Sequence, residues 1–172
     1  GGALPQTGGA TPSAGSSTSA GSIESGAVSG APLDAGALES GGVELAFAER
    51  QDFDRAKAAY DSGDFEGAAE QFRAFTDTYQ GGPLSGLAHL LRGEALQKLG
   101  LTSSAARAYL ESYSGTPDGQ TSPLALLKLG ISLDGLGQAS EACITLAEVT
   151  TRFPNSQASM EAQAARGSMG CS

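Results

Sequence analysis

The stretch that decides the fold is "LLKLGISLDGLGQASEACITL", from Leu126 to Leu146. Its first half carries leucines at helical spacing and breaks at Gly137. Apolar residues resume at helical spacing after this glycine, in a second half that carries Cys143. The pattern predicts two amphipathic helices, because glycine readily adopts the left-handed conformation that ends a helix.

The same unit occurs three times in the chain. Gly63, Gly100 and Gly137 are each separated by 37 positions, and other types of residue keep the same spacing. The further columns are Ala68, Ala105 and Ala142; Phe72, Tyr109 and Leu146; Ala56, Gly93 and Gly130; Phe53, Leu90 and Leu127; and Gln80, Pro117 and Pro154. A register held by six columns indicates a structural repeat.

The order of small residue, glycine, alanine, aromatic and proline resembles the tetratricopeptide repeat, which has two antiparallel helices per copy. The fold predicted is all-α: three such helix-turn-helix repeats in a short right-handed solenoid. The repeats are expected at about 47–82, 83–119 and 120–155. A final helix at about 156–168 is expected to cap the exposed apolar end of the stack. These elements form a predicted domain over residues 45–172.

The segment before this domain has a different composition. Residues 1–42 are mostly glycine, alanine and serine, with no aromatic residue and no lysine or arginine. Such a sequence buries too little apolar surface to offset its conformational entropy. Residues 1–44 are therefore predicted to be a disordered linker.

Composition excludes several classes of partner. The net charge of −9 offers no basic surplus for a nucleic acid. No apolar run approaches the roughly 20 residues that span a bilayer, so no membrane insertion is expected. The chain begins at Gly1 without a signal peptide, and we expect any targeting sequence to lie outside it.

No constellation for catalysis is visible in the sequence. His89 is the one histidine, and the two cysteines, Cys143 and Cys171, are far from it in sequence. Nucleophilic catalysis and metal binding both need clustered ligands or an adjacent base. The glycines fall at helix ends rather than in a phosphate-binding loop. We therefore expect no enzyme activity, no cofactor and no metal.

The repeats also resemble one particular family. "AHLLRGEALQKLG" in the second copy and "PLALLKLGISLDGLGQASEACITLAEVTTRFPNS" in the third are similar to the C-terminal domain of the Tol-Pal-associated cell division coordinator, the CpoB/YbgF family of alphaproteobacterial type. The resemblance covers residues 47–171. Two features depart from that family's pattern: Leu90-Leu91-Arg92 stands where the family usually has Tyr-Trp-Leu, and Gln80 stands where a proline is typical.

The resemblance implies a periplasmic scaffold that coordinates outer-membrane constriction with septal peptidoglycan synthesis during cell division. The implied partners are a TolA-like component of the Tol system and a peptidoglycan synthase complex. Homo-oligomers would form only through an N-terminal coiled coil, which this chain lacks. An alternative is an outer-membrane assembly or chaperone-like repeat adaptor, although such proteins generally carry more repeats and a lipidated N-terminal cysteine.

A stack of this kind is expected to bind partners in the groove lined by its first helices. Groove positions in this repeat lie three before the small residue, one after it and four after it. The predicted groove residues are Phe53, Lys57, Tyr60, Leu90, Glu94, Gln97, Leu127, Ile131 and Asp134. The alternative is that the apolar members only pack one copy against the next.

Cys143 lies near the start of the second helix of the third repeat, and Cys171 lies just beyond the predicted capping helix. An antiparallel return of that helix brings the two cysteines to the same end. In the oxidising periplasm that the family resemblance implies, this geometry favours a disulfide over two free thiols.

Overall fold

The computed structural model describes residues 35–172, with side chains described from residue 42 onward. This part of the chain consists of helices joined by short turns, and it contains no strand. The helices are α1 (Ala35–Asp61), α2 (Phe65–Thr78), α3 (Ser85–Lys98), α4 (Thr102–Gly115), α5 (Ser122–Gly135), α6 (Ala139–Arg152) and α7 (Gln157–Met169). The predicted all-α repeat fold is confirmed. Each predicted repeat contains one pair of helices, and α7 follows the third pair.

Glycine ends the first helix of every pair. Gly63, Gly100 and Gly137 have φ of +84°, +74° and +76°, a conformation that residues with a Cβ rarely adopt. The left-handed glycines predicted from the repeat are thus confirmed. After Gly63 the next helix is capped by Asp64, whose Oδ1 accepts a hydrogen bond of 2.9 Å from the Gly67 amide.

The two helices of a pair pack closely because a small residue on one faces a large residue on the other. A Cβ placed on Gly130 of α5 would lie only 2.7 Å from Leu146 Cδ2 of α6. Leu146 itself is completely buried. These residues belong to two of the columns that repeat in the sequence, so the columns record contacts within each pair.

The core is built in two neighbouring parts. One comprises buried side chains of the first two repeats together with Ala125 of α5, and in it the Phe53 ring packs edge-on against Phe72 at 5.6 Å between centroids. The other joins the third repeat to α7. Tyr113 and Leu129 pack against both parts, so apolar contact continues through the stack.

A serine closes each connection between repeats. The Ser85 hydroxyl donates to the Tyr79 carbonyl at 2.6 Å, and the Ser122 hydroxyl donates to the Thr116 carbonyl. Ser159 occupies the equivalent position in α7 and is 1 % exposed, but its hydroxyl has no partner among the described residues. The three serines share the spacing of 37 residues, but they are not among the six columns identified in the sequence.

Helix α1 begins at Ala35, before the predicted domain boundary at residues 44 and 45. The disordered linker over residues 1–44 stays a prediction, and residues 1–34 lie outside the described residues. Val43, Leu45 and Phe47 in this part of α1 are exposed. Hydrogen bonds within a helix extend it from a nucleus without tertiary contacts, and composition alone does not reveal such an extension.

The first helices of the repeats line the inner surface of the stack. Each helix packs against the next along the chain, and α1 also contacts α3 while α5 contacts α7. No contact of similar extent joins α2 to α4 or α4 to α6 within residues 35–172. The helices α1 and α3 therefore approach each other on the inner side, where the ion pair of Lys128 with Glu94 also joins α5 to α3, and α2, α4 and α6 lie on the outer side.

Candidate partner-binding groove

The inner surface of α1, α3 and α5 carries an open cleft of about 550 Å³, which we call the groove cleft. Its lining residues come from four helices: Tyr60, Glu94, Gln97, Lys98, Tyr109 and Lys128. The first three are among the residues predicted for the groove. The side chains in the cleft are long and mostly polar, and they suit hydrogen bonding to a partner segment.

Three of the predicted groove residues do not line the groove. Phe53 and Leu90 are each 4 % exposed, and Leu127 is 1 % exposed. All three belong to the buried core, and Phe53, for example, contacts Phe72 and Phe75. The prediction for these three is wrong, because the position three before the small residue faces the core. Phe53 packs within its own repeat, and packing of one copy against the next by these residues stays a prediction.

The other predicted residues are accessible. Lys57, Gln97, Ile131 and Asp134 are exposed, and Ile131 is an apolar side chain with 49 % of its surface open to solvent. Lys57 is not free to the same degree, because its Nζ lies 2.6 Å from Asp61 Oδ2 one helical turn away. Both residues of that ion pair are largely exposed, so the pair contributes little to stability.

A polar network links the three inner helices. The Tyr60 hydroxyl donates to Glu94 Oε2 at 3.3 Å, which connects α1 to α3. Lys128 Nζ lies 3.0 Å from Glu94 Oε1, which connects α3 to α5. Glu94 is therefore the common acceptor, and both of its oxygens are engaged. This arrangement fixes the positions of the tyrosine and lysine side chains that face the groove.

Burial affects the two tyrosines in the cleft. It raises the pKa of Tyr60, and the negative charge of Glu94 and the hydrogen bond to it raise that pKa further. Burial also raises the pKa of Tyr109, with smaller contributions from Glu94 and Tyr60. Both hydroxyls therefore remain protonated at neutral pH and serve as hydrogen-bond donors.

Three residues of the cleft were not predicted for the groove: Lys98, Tyr109 and Lys128. Tyr109 belongs to the second helix of its repeat, and its hydroxyl end reaches the cleft because Gly93 leaves room for the ring beside α3. Lys128 lies two residues before Gly130, a position not assigned to the groove. The sequence did contain a signal for Tyr109, because this large aromatic residue in one repeated column faces Gly93 in another.

The described residues show no arrangement typical of a catalytic or metal centre. His89 lies on α3 with Nδ1 3.3 Å from Glu111 Oε2, and burial lowers its pKa despite the opposing effect of Glu111. Within residues 35–172 no group of three or more histidine, cysteine, aspartate or glutamate side chains is placed to hold a metal ion. No helix in that range is long and apolar enough to cross a membrane.

Cys143 on α6 and Cys171 after α7 form a disulfide, with their Cα atoms 5.6 Å apart. The chain turns left-handed at Gly170, where φ is +70°, and this turn brings Cys171 back beside α6. The cross-link ties the end of the chain to the last repeat. The pairing is the one that the sequence favours, and neither cysteine is left as a free thiol.

Comparisons with known proteins agree on the type of repeat. One tetratricopeptide-repeat family model matches residues 53–120, and a second matches residues 124–156. No curated protein matches this chain significantly in sequence. Among solved structures, 24 chains match.

One of these solved structures is the Yersinia enterocolitica type III secretion chaperone SycD in complex with a peptide of the translocator YopD. The alignment covers 70 % of this chain and 87 % of that one, with 21 % identity and a TM-score of 0.59. At this identity the likeness shows a shared fold. The two family models together match more than half of the chain, which therefore belongs to the tetratricopeptide-repeat family and is a protein-interaction scaffold of that type.

Proposed function

We propose that this chain is a periplasmic scaffold of the Tol-Pal system that binds a segment of a protein partner in its inner groove. The observation that carries the proposal is the groove cleft between α1, α3 and α5. Its donors are the hydroxyl of Tyr109 and the ammonium groups of Lys98 and Lys128, and Ile131 adds an exposed apolar contact. An extended peptide or a helix of a partner presents complementary carbonyl groups and apolar side chains.

The disulfide supports a periplasmic location. Disulfides persist in oxidising compartments and are rare in the cytosol, where thiols are kept reduced. Cys143 and Cys171 are paired, and the pair lies at the end of the stack rather than in a cleft suited to redox catalysis. A structural cross-link of this kind suits a protein that works outside the cytoplasm.

The role in cell division rests on the resemblance of residues 47–171 to the Tol-Pal-associated coordinator family. In this proposal the groove binds a TolA-like component, and the scaffold brings it together with a peptidoglycan synthase complex. The two contacts would couple constriction of the outer membrane to synthesis of the septal wall.

The test is binding of the purified chain to a TolA-like protein of the same organism, measured by isothermal titration calorimetry. The variant combines Gln97→Ala with Ile131→Ala, two exposed side chains on the inner surface. Truncating true anchor residues costs on the order of 1–2 kcal/mol each, so affinity is expected to fall at least about tenfold.

Ile144→Ala is the matched control. Ile144 is 71 % exposed and lies on the outer helix α6, so its truncation removes the same chemical group from the other side of the stack. Affinity should remain unchanged in this variant. If both variants bind as tightly as the original chain, the groove is not the binding site; if the original chain does not bind, the proposed partner is wrong.

A chaperone-like adaptor is the second candidate, and the solved relative that holds a translocator peptide favours it. An adaptor of this kind would bind an unfolded client and suppress its aggregation. Light scattering of an unfolded outer-membrane protein, with and without the chain, distinguishes the two functions. Suppression by the original chain that is lost with Gln97→Ala and Ile131→Ala would favour the adaptor.

A further inference from the structure

A second cleft lies on the outer side of the stack. It has a volume of about 550 Å³ and is bounded by α2 and α4, with α3 contributing His89 and Arg92. We call it the arginine cleft and define it by Arg73, Asp77, His89, Arg92, Arg107 and Glu111. On α3, Arg92 and Glu94 are two residues apart, which places them about 200° apart around the helix axis. The arginine cleft and the groove cleft therefore lie on opposite sides of α3.

The arginine cleft carries a positive net charge, whereas the net charge of the whole chain is negative. The whole chain carries −9, yet three of its ten basic residues line this one cleft beside two carboxylates. Burial lowers the pKa of His89, so at neutral pH the imidazole adds no charge to either side. The guanidinium groups thus outnumber the carboxylates in this cleft, although the chain as a whole is acidic.

These guanidinium groups are incompletely paired. Glu111 Oε2 is already shared between Arg92 Nη1 at 3.4 Å and His89 Nδ1 at 3.3 Å. Arg73 Nε lies 4.0 Å from Asp77 Oδ2, and both side chains are about 70 % exposed, so this pair is weak. Arg107 forms no ion pair with any residue in the described part of the chain. The cleft therefore retains hydrogen-bond donors for an incoming carboxylate.

One of the arginines is held in position before any partner arrives. The Arg92 side chain is only 23 % exposed and is fixed against Glu111, whereas Arg73 and Arg107 project from the flanking helices. A fixed guanidinium loses little entropy on binding and forms paired hydrogen bonds to a carboxylate. Flexible arginines on both sides can then close on further carboxylates of the same segment.

We propose that the arginine cleft is a second partner-binding surface, which takes a segment rich in aspartate and glutamate from a protein partner. Charge complementarity favours this occupant, because the guanidinium groups of the cleft outnumber its carboxylates and two of the three are exposed. A long nucleic acid would extend beyond the cleft along a chain whose net charge is −9. With the groove on the inner side, the chain would hold two protein segments at once on opposite faces.

The probe for this site is a fluorescein-labelled peptide of about ten residues that alternates glutamate and glycine, with a glutamine and glycine peptide of equal length as the neutral probe. Fluorescence anisotropy with the full chain is measured at low and at high salt. Binding of the glutamate peptide is expected at low salt and should weaken as salt screens the charges. The neutral peptide should not bind.

The test variant combines Arg73→Gln with Arg107→Gln, both exposed, and is expected to weaken binding about tenfold or more, since charge-assisted hydrogen bonds are lost. The matched control combines Arg50→Gln with Arg55→Gln on α1, which removes the same charge from exposed side chains elsewhere. The control should bind the glutamate peptide like the original chain. Circular dichroism melting checks that both variants remain folded.

Three outcomes would overturn the proposal. The first is no binding of the glutamate peptide at low salt, and the second is an equal loss of binding in the test variant and the control. The third is inorganic phosphate binding as tightly as the peptide and displacing it, which would make the cleft a site for small anions. The groove variant with Gln97→Ala and Ile131→Ala should bind the glutamate peptide normally.

Discussion

The ring of Tyr109 on α4 lies against the backbone of Gly93 on α3, so that a methyl group on Gly93 would come 2.6 Å from Tyr109 Cδ1. Tyr109 is 2 % exposed, and its ring fills the space that the glycine leaves. The contact holds the two helices of the second repeat together and also directs the tyrosine hydroxyl into the groove cleft. Packing and the binding surface therefore depend on the same pair.

We expect Gly93→Ala to lower the free energy of unfolding by up to about 2 kcal/mol, because overpacking costs about 1–3 kcal/mol and alanine gains only about 1 kcal/mol in a helix. Urea denaturation measures the change. Gly167→Ala in α7 is the control, since no atom lies within 4 Å of the added methyl. That variant should be stabilised by up to about 1 kcal/mol. Equal stabilisation of both variants would show that the ring can move away freely.

Two residues of α5, both predicted for the groove, should respond differently to truncation. Leu127→Ala is expected to lower the free energy of unfolding by about 2–5 kcal/mol, because the side chain is buried and its loss leaves a cavity. Ile131→Ala should change stability by no more than about 0.5 kcal/mol, since nearly half of the side chain is exposed. Thermal melting and chemical denaturation of the two variants provide the comparison. A large loss of stability from Ile131→Ala would place this side chain in the core instead.

The polar network of the groove should show energetic coupling between Glu94 and Lys128. Their side chains are 22 % and 32 % exposed, and we expect a coupling energy of about 0.5–1 kcal/mol in a double-mutant cycle of Glu94→Gln and Lys128→Met. Urea denaturation of the single and double variants gives this value. Raising the salt concentration should reduce it, and a value of zero at low salt would mean that the pair does not hold α3 to α5.

Reduction of the disulfide should loosen the end of the stack. Cys143 and Cys171 are 28 residues apart, and closing a loop of that length stabilises by about 3–4 kcal/mol in the chain-entropy model. We expect that loss on reduction, together with faster amide hydrogen exchange in α7 than in α3. The variant with Cys143→Ser and Cys171→Ser should show the same loss and no further response to a reductant. A further response would point to an effect of the reductant other than cleavage of this bond.

His89 should make stability fall as the solution becomes acidic. Burial lowers its pKa in the folded state below the ordinary 6.5, so the unfolded chain takes up the proton first as pH falls below 6.5. The loss of stability is complete once the pH has fallen below the pKa of His89 in the folded state. We expect the free energy of unfolding to decrease more between about pH 7.5 and 5.5 in the original chain than in His89→Gln. A stability difference between the two that does not change with pH would contradict this reading.

The sequence predicted the repeats well because the contacts within a repeat are local. One spacing relates the turn glycines, the small residues of α3 and α5, and the large residues that face them. Each column occupies the same packing position in every repeat. The serines that close the connections also recur, but a buried serine carries no distinctive sequence signal until its carbonyl partner is known. The start of α1 was missed because the residues before Phe47 have no periodic contact to reveal a helix.

The groove was predicted only in part. A position counted from a small residue identifies a face of a helix, and a rotation of a few tens of degrees decides whether that face meets the core or solvent. Phe53, Leu90 and Leu127 therefore proved to be buried, while Ile131 and Gln97 remained accessible. Tyr109 entered the groove from an outer helix, which a count along the inner helices does not anticipate.

Spacing and residue size in the sequence alone determined the all-α repeat, its period and the left-handed glycines, because these depend on contacts between residues close in the chain. Tertiary structure alone decided which polar side chains meet across repeats. Glu94 joins Tyr60 and Lys128 over separations of 34 positions, and Arg73, Arg92 and Arg107 share one cleft from three helices. Such groupings depend on the angles at which successive helices stack, and these angles follow from the packing of many side chains together.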